Sequence, residues 1–203
     1  MVDVEREGPV ARIFLNRPEK ANALNSVMLE KLRDAVRGLE KDETLRVAML
    51  AGRGGAFCGG ADTHELRALD AETAPVFVAR IHDVCKAIRD LRVAADGTKF
   101  AMPEVRLGIP SVVEAALLPR LVGSGRAAWL VLTGEAIDAR RALEWGLIEE
   151  IETDGAIHRL VQNLLAGDRE ALRMQKQLLQ LWDEASLATS VTASIERFAQ
   201  AHR

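Results

Sequence analysis

The tightest constraint on this chain is a glycine-rich stretch, from Gly52 to Gly60, set between a strand pattern and a helix pattern. Five glycines in those nine residues cannot continue a helix or a strand without entropic cost, so the chain must turn here. Upstream, Arg46 to Ala51 reads as a buried strand through Val47, Ala48, Met49 and Leu50. Downstream, a helix is expected to begin near Thr63. A strand, glycine turn and helix in that order expose backbone N–H groups that can hold a phosphate or an oxyanion developing during acyl chemistry. The stretch lacks Gly-Lys-Ser/Thr and is no P-loop, and it fits GxGxxG poorly. On spacing alone a plain structural turn remains the competing reading.

Around this stretch the pattern is that of an α/β protein. Val2 to Glu5 and Val10 to Leu15, split by Gly8-Pro9, predict a hairpin. Ser26 is expected to cap a helix whose Leu29, Leu32, Val36 and Leu39 form one apolar stripe. Ala71 to Leu91 is helical in pattern, with Val76, Val78, Ile81, Val84, Cys85 and Ile88 toward one side, and Pro75 is tolerated in its first turn. Short strands are expected at Arg92 to Ala95 and Lys99 to Met102, then a helix from Pro110-Ser111 to about Leu121. Helical segments follow at Ala136 to Trp145, Gly155 to Ala166, Asp168 to Trp182 and Ser186 to His202. This division predicts a core over residues 1–134 and a C-terminal helical region over 135–203.

Composition narrows the function. With 27 basic and 30 acidic side chains the formal charge of the 203 residues is −3, and no tyrosine is present, so neither charge nor stacking surface points to a nucleic-acid partner. The longest apolar run, Ala127 to Leu132, is far short of the ~20 residues of a membrane span. Charges interrupt Met1 to Arg6, so no secretory leader is expected. Two cysteines, Cys58 and Cys85, make no disulfide framework, and neither they nor His64, His82, His158 and His202 have metal-ligand spacing. A reducing cytoplasmic location is the expectation, with no metal.

Three separated motifs then agree in order: Leu15-Asn16-Arg17-Pro18-Glu19-Lys20-Ala21-Asn22-Ala23-Leu24-Asn25, Ala56-Phe57-Cys58-Gly59-Gly60-Ala61-Asp62, and Phe100-Ala101-Met102-Pro103-Glu104-Val105-Arg106-Leu107-Gly108-Ile109-Pro110. With Leu118 to Gly123, Leu132 to Glu135 and Ala142 to Ile148 they make the chain resemble the enoyl-CoA hydratase/isomerase (crotonase) family over nearly its whole length. The resemblance implies a crotonase-like (ββα) spiral core of α/β class and a thioester of coenzyme A as substrate, with no permanently bound cofactor. It implies that the Ala61 N–H is one of two donors to the thioester oxygen. Carbonyls of Gly59, Ala61 and Thr63 would face the adenine, and Lys20, Ala21 and Ala23 would line the nucleotide and pantetheine path. Lys20 would also offer charge to a phosphate, beside its plain reading as an exposed lysine. Asp62 stands beside this site with the alternative reading of a simple helix cap. Glu104 matches the glutamate that exchanges a proton next to the thioester. A homotrimer or hexamer, with C-terminal helices packed between subunits, is also implied.

One departure from the family pattern is large. Ile88-Arg89-Asp90-Leu91 runs directly into Arg92-Val93-Ala94-Ala95-Asp96, with no Pro-Val-Ile-Ala strand, no Gly-Gly-Gly turn and no following glutamate. The second oxyanion donor and one of two hydratase carboxylates are absent with them. Loss of this strand should also uncover the ladder edge of Val47 to Leu50 and the helix around Ile81 to Ile88. The resulting expectation is a hydratase-like acyl-CoA enzyme, with an isomerase or a catalytically impaired acyl-CoA-binding or oligomer subunit as alternatives. Glu114 is expected as a helix-surface residue, Cys58 as a packed thiol, and Trp129, Trp145 and Trp182 as core or subunit contacts.

Overall fold

Gly8, at a φ of +53°, reverses the chain between β1 (Val2–Glu7) and β2 (Val10–Leu15), which pair antiparallel with Val2 opposite Leu15. Glycine adopts this left-handed φ without steric penalty, and Pro9 has no donor to leave unpaired in the turn. This computed structural model describes residues 1–88 and 90–200. Arg89 and His202, both assigned to helical segments from the sequence, lie outside those residues.

The helix α1 (Ser26–Glu40) buries Met28, Leu29 and Leu32, the start of the stripe expected from its spacing. Its cap is Asn25 and not Ser26. Asn25 has extended backbone (φ −103°, ψ 170°) and its side chain accepts from the Met28 N–H, whereas Ser26 is already helical. β3 (Val47–Gly52) then pairs parallel with β2, giving a sheet ordered β1-β2-β3 with the most buried strand in the middle. The short helix α2 (Thr63–Ala68) follows the glycine loop, and α3 (Thr73–Ala87) packs on α1. Ile13 and Leu15 from the sheet, Met28, Leu29 and Leu32 from α1, and Phe77 and Val84 from α3 form a first core. The inward face of α3 is therefore Phe77, Ile81, Val84 and Ile88, at 4, 3, 4 spacing. Val76, expected on that face, is exposed because it lies one residue, about 100°, away from Phe77.

No described strand pairs with the outer edge of β3. The later strands pair among themselves: β4 (Val93–Ala95) runs parallel to β7 (Glu150–Glu152), and β5 (Lys99–Phe100) runs antiparallel to β6 (Ile137–Asp138). The strand expected over Lys99 to Met102 thus ends at Phe100, and Pro103 opens a 3-10 turn, Pro103–Leu107. The helix expected from Pro110 does not form either. A 3-10 turn over Val113–Leu117 leads into α4 (Leu118–Val122), because Val112 is extended and Val113 sits at a φ of +48°, outside the helical basin.

A second core joins Leu118 and Val122 of α4, Ala127 and Leu130 of α5 (Ser124–Thr133), Ile137, Ala139 and Ala142 of β6 and α6 (Ala139–Trp145), and Ile148. Trp129 and Trp145 pack against it edge to face, 5.8 Å between centroids. Residues on both sides of Gly134 share this core. By contact density the chain forms two compact units, Met1–Ile157 and His158–Arg203. After α7 (Ala156–Ala166), the second unit contains α8 (Arg169–Glu184), capped by Asp168, packed on α9 (Leu187–Gln200). Trp182 donates to Ser194 Oγ across that pair at 3.1 Å. Among the described residues no helix is long and apolar enough to cross a membrane.

The two cores of the first unit share no buried residue, so damage in one should not propagate to the other. Ile13→Val and Ile137→Val are each expected to cost about 0.5–1.5 kcal/mol. In urea unfolding the double variant should equal the sum within about 0.5 kcal/mol. A markedly larger or smaller sum would show the cores to be coupled.

Candidate active site

The loop of residues 52–62 is fixed by one buried amide. Asn22 is 0% exposed; its Nδ2 donates to the Arg53 carbonyl at 2.9 Å and the Ala56 carbonyl at 2.7 Å, and its Oδ1 accepts the Arg17 N–H at 2.7 Å. A short polar side chain at this place tolerates the left-handed backbone (φ +56°) that brings the amide inward. Gly52 is required on the other side, since a Cβ there would collide with the backbone of Ala56 and Phe57. The sequence reading placed Asn22 in a motif but did not single it out. Its signal was only that an asparagine suits an αL position.

Backbone bonds then join the two segments assigned to coenzyme A. Gly59 N–H donates to the Ala21 carbonyl at 2.7 Å, Leu24 N–H to Gly60 at 2.8 Å, and Asp62 N–H to Leu24 at 2.8 Å. This is a parallel bridge between Leu24 and Ala61. In that pattern the residues flanking Ala61 make the bonds, and Ala61 faces the opposite way. Its N–H has no hydrogen-bond partner among the described residues. Lys20, Ala21, Gly59 and Thr63 are exposed here, and Ala23 and Ala61 half-buried.

Asp62 is a helix cap and more. Its Oδ1 accepts from the His64 and Glu65 N–H groups, while its Oδ2 takes the Arg17 guanidinium at 2.5 Å, in a pair whose side chains are 15% and 10% exposed. Arg17 also donates to the Ala23 carbonyl at 3.2 Å. Ser26, displaced from the cap of α1, donates through both N–H and Oγ to Glu65 Oε2. Asp62 takes the His64 and Glu65 amides at the start of this six-residue helix. No hydrogen bond among the described residues occupies the amides of Ala61, just before it, or of Thr63, its first residue. Arg17 holds the Asp62 carboxyl below the usual carboxylate range, helped by the amides of His64 and Glu65 and opposed by burial. Cys58, in the same loop, is shifted upward by burial despite the Gly60 N–H on its sulfur, as a packed thiol would be.

Glu104 lies in the Pro103–Leu107 turn and not at a strand end; it is half-buried, and Ser111 Oγ donates to its Oε2 at 2.9 Å. No hydrogen bond among the described residues links it to the Ala21 and Ala61 cluster, and its neighbour Met102 packs on the second core. Glu114, expected on a helix surface, lies instead in the Val113–Leu117 turn with 23% of its side chain exposed. Its Oε1 meets His82 Nδ1 of α3 at 2.8 Å. Its Oε2 is shut off from solvent without a donor. Cys85, one turn along α3, is pushed up to about 11 by burial, with the Glu114 and Cys58 charges adding. Nothing in the sequence pairs residues 82 and 114. Among the described residues no group of three or more His, Cys, Asp or Glu side chains is placed to hold a metal ion.

Two models described as enoyl-CoA hydratase/isomerase match residues 5–90 and 86–202, and the chain belongs to that family. It is 30% identical to a crotonyl-CoA hydratase of Syntrophomonas wolfei over 85% of this chain and 78% of that protein. It is also 30% identical to a 1,2-epoxyphenylacetyl-CoA isomerase of Escherichia coli, over 78% and 72% of the two chains. The crystal structure of an enoyl-CoA hydratase from Mycobacterium smegmatis superposes with a TM-score of 0.94 at 28% identity, covering 98% of this chain and 90% of that one. The fold is accordingly crotonase-like. The alignment to the S. wolfei protein runs over 204 residues while taking in 85% of a 203-residue chain, so that relative carries internal residues this chain lacks. The two family matches meet at residues 86–90, beside the junction where the sequence lacks a strand and glycine turn.

Two measurements probe the scaffold of this site. Asn22→Ala leaves two carbonyls and one amide without their buried partner and should lower stability by about 3 kcal/mol or more in urea unfolding. A loss under about 1 kcal/mol would show the loops to be held by other means. For Asp62 the lowered folded pKa makes the charged form the stabilising one. Its contribution is complete above the unfolded value of roughly 3.9 and is lost as pH falls through the folded value. Asp62→Asn should therefore be less stable than wild type by about 1.5–3 kcal/mol at pH 7, and the gap should close on acidification below pH ~4. A gap unchanged down to the acid limb would contradict the Arg17 pairing.

Proposed function

We propose that this chain is an enoyl-CoA hydratase, adding water across the double bond of 2-enoyl-CoA thioesters. The observation that carries the reading is the half-buried Ala61 N–H, held outward by a bridge that uses only its neighbours' groups. During addition, charge accumulates on the thioester oxygen as the enolate forms, and a fixed amide aimed at that oxygen stabilises the transition state more than the ground state. Glu104, steadied by Ser111, would deliver the proton to the α-carbon. Carbonyls of Gly59, Ala61 and Thr63 would receive the adenine, with Lys20, Ala21, Ala23 and Asp62 beside the nucleotide and pantetheine. Coenzyme A would enter only as part of the substrate. A homotrimer or hexamer in the cytoplasm, with a core over 1–134 and a helical region over 135–203, completes the proposal.

An isomerase is the second reading, and one observation favours it: the family pattern's second carboxylate is absent, and a double-bond shift can run on one carboxylate shuttling a proton. The relative from E. coli is named a 1,2-epoxyphenylacetyl-CoA isomerase, so an isomerisation of another acyl-CoA occurs among the proteins this chain resembles. Glu104→Gln should lower kcat for crotonyl-CoA hydration by about 100-fold or more, with coenzyme A still retained in equilibrium dialysis. A wild type that isomerises a 3-enoyl-CoA but does not hydrate would replace the first reading with the second. Retention of coenzyme A without either turnover would leave a binding subunit.

A further inference from the structure

We propose that Ser111 is a positioning residue for proton transfer: it holds Glu104 Oε2, leaves Oε1 to serve the substrate α-carbon, and stabilises the charge left on the carboxylate when that proton departs. The proposal deepens the reading above, in which Glu104 protonates the α-carbon, and rests on it. Three observations on residues 103–117 point to it.

First, the chain closes on Glu104 from two sides. Gly108, at a φ of +76°, turns the segment back, and the Ile109 N–H donates to the Glu104 carbonyl at 3.2 Å. Ser111 Oγ then donates to Glu104 Oε2 at 2.9 Å, so one short loop fixes both the backbone and one carboxylate oxygen of the same residue. Pro103 and Pro110 restrict φ toward the two ends of that loop. Second, the Ser111 hydroxyl is diverted from the task its position suggests. A serine before a helical turn commonly caps its amides, yet the cap of the Val113–Leu117 turn falls on Val112, and the turn has no side-chain cap. Third, the two Glu104 oxygens differ. Oε2 is held, while Oε1 has no partner among the described residues and is not closed off from solvent.

In the step that this arrangement serves, the enolate π pair forms the new C–H bond to the proton on Glu104 Oε1, and the O–H pair stays on the carboxylate. The negative charge then spreads over both oxygens. The Ser111 bond at Oε2 becomes charge-assisted as the proton leaves, and such bonds are the stronger kind. An interaction that strengthens along the reaction coordinate lowers the barrier without tightening substrate binding. Anchoring Oε2 also confines Oε1 to a narrow arc, which removes rotamers from which no proton could be delivered. The reverse transfer, from the α-carbon to Oε1, uses the same geometry.

The test compares wild type, Ser111→Ala, Ser111→Thr, Glu104→Gln and the Ser111→Ala/Glu104→Gln pair as full chains in two reactions: hydration of crotonyl-CoA, and exchange of the α-protons of butyryl-CoA in D2O. Ser111→Ala should lower kcat for hydration and the exchange rate alike, by about 10- to 100-fold, while KM stays within about threefold. Ser111→Thr, which keeps the hydroxyl, should recover most of both rates. Added to Glu104→Gln, Ser111→Ala should cost less than about twofold more, because the group it positions is already gone. Wild-type rates in Ser111→Ala overturn the assignment. So does a full further loss in the Glu104→Gln background, or a rise in KM that accounts for the whole effect, since either marks a loop-building role. If the wild type exchanges α-protons without hydrating and Ser111→Ala slows that exchange, the hydratase reading falls and the Ser111 role stands. If the wild type hydrates and Ser111→Ala is unimpaired, this role falls alone. A wild type that does neither overturns both.

Discussion

The buried side chain of Asn22 is the contact on which the site depends. It joins three backbone groups from two loops that are far apart in sequence, and it does so at the one place where both loops are free of regular structure. Without it the 52–62 loop would have to satisfy its carbonyls elsewhere, and an inward collapse would consume the Ala61 amide. The ion pair of Arg17 with Asp62 braces the same loop from outside, and Asp62 occupies the His64 and Glu65 amides of α2. Order in this loop is therefore set largely by polar groups that are satisfied internally, and the Ala61 amide is among those left without a partner.

The shortened region acts on the fold through the sheet. Among the described residues β3 has no strand partner on its outer edge, and the strands that follow the junction are two or three residues long and pair with each other. Two separate hydrophobic cores nevertheless form, one built on β2, α1 and α3, the other chiefly on α4 to α6. A core closed by helices can tolerate the loss of a neighbouring strand where a ladder cannot, because side-chain burial does not require a partner at fixed register.

Much of this was legible in the residues. The hairpin at Gly8-Pro9, the buried strand before the glycines, the helix starting at Thr63 and the stripe on α1 all follow from local turn chemistry and periodicity. The misreadings were of two kinds. Asn25 and Ser26 are both good caps, and only backbone conformation decides between them. Pro110-Ser111 predicts a helix running to about Leu121, yet Val113 leaves the helical basin, a choice fixed by tertiary context. The same context explains why Asn22 and the pairing of His82 with Glu114 escaped notice: each joins residues 30 or more positions apart, and no spacing rule reaches that far.

The two losses implied by the missing segment differ in whether the remaining chain can replace them. A carboxylate can be replaced from another element, since proton transfer asks only for a group of the right kind within hydrogen-bond reach. An oxyanion donor is harder to replace, because its value lies in being fixed before the charge appears; removal of one such donor elsewhere costs about 3 kcal/mol. Restoring the second carboxylate would therefore recover proton management but not the full electrostatic stabilisation of the enolate. On the proposed reading, water addition would rest on a single amide, and the orientation of Ala61 would be the quantity that sets its rate.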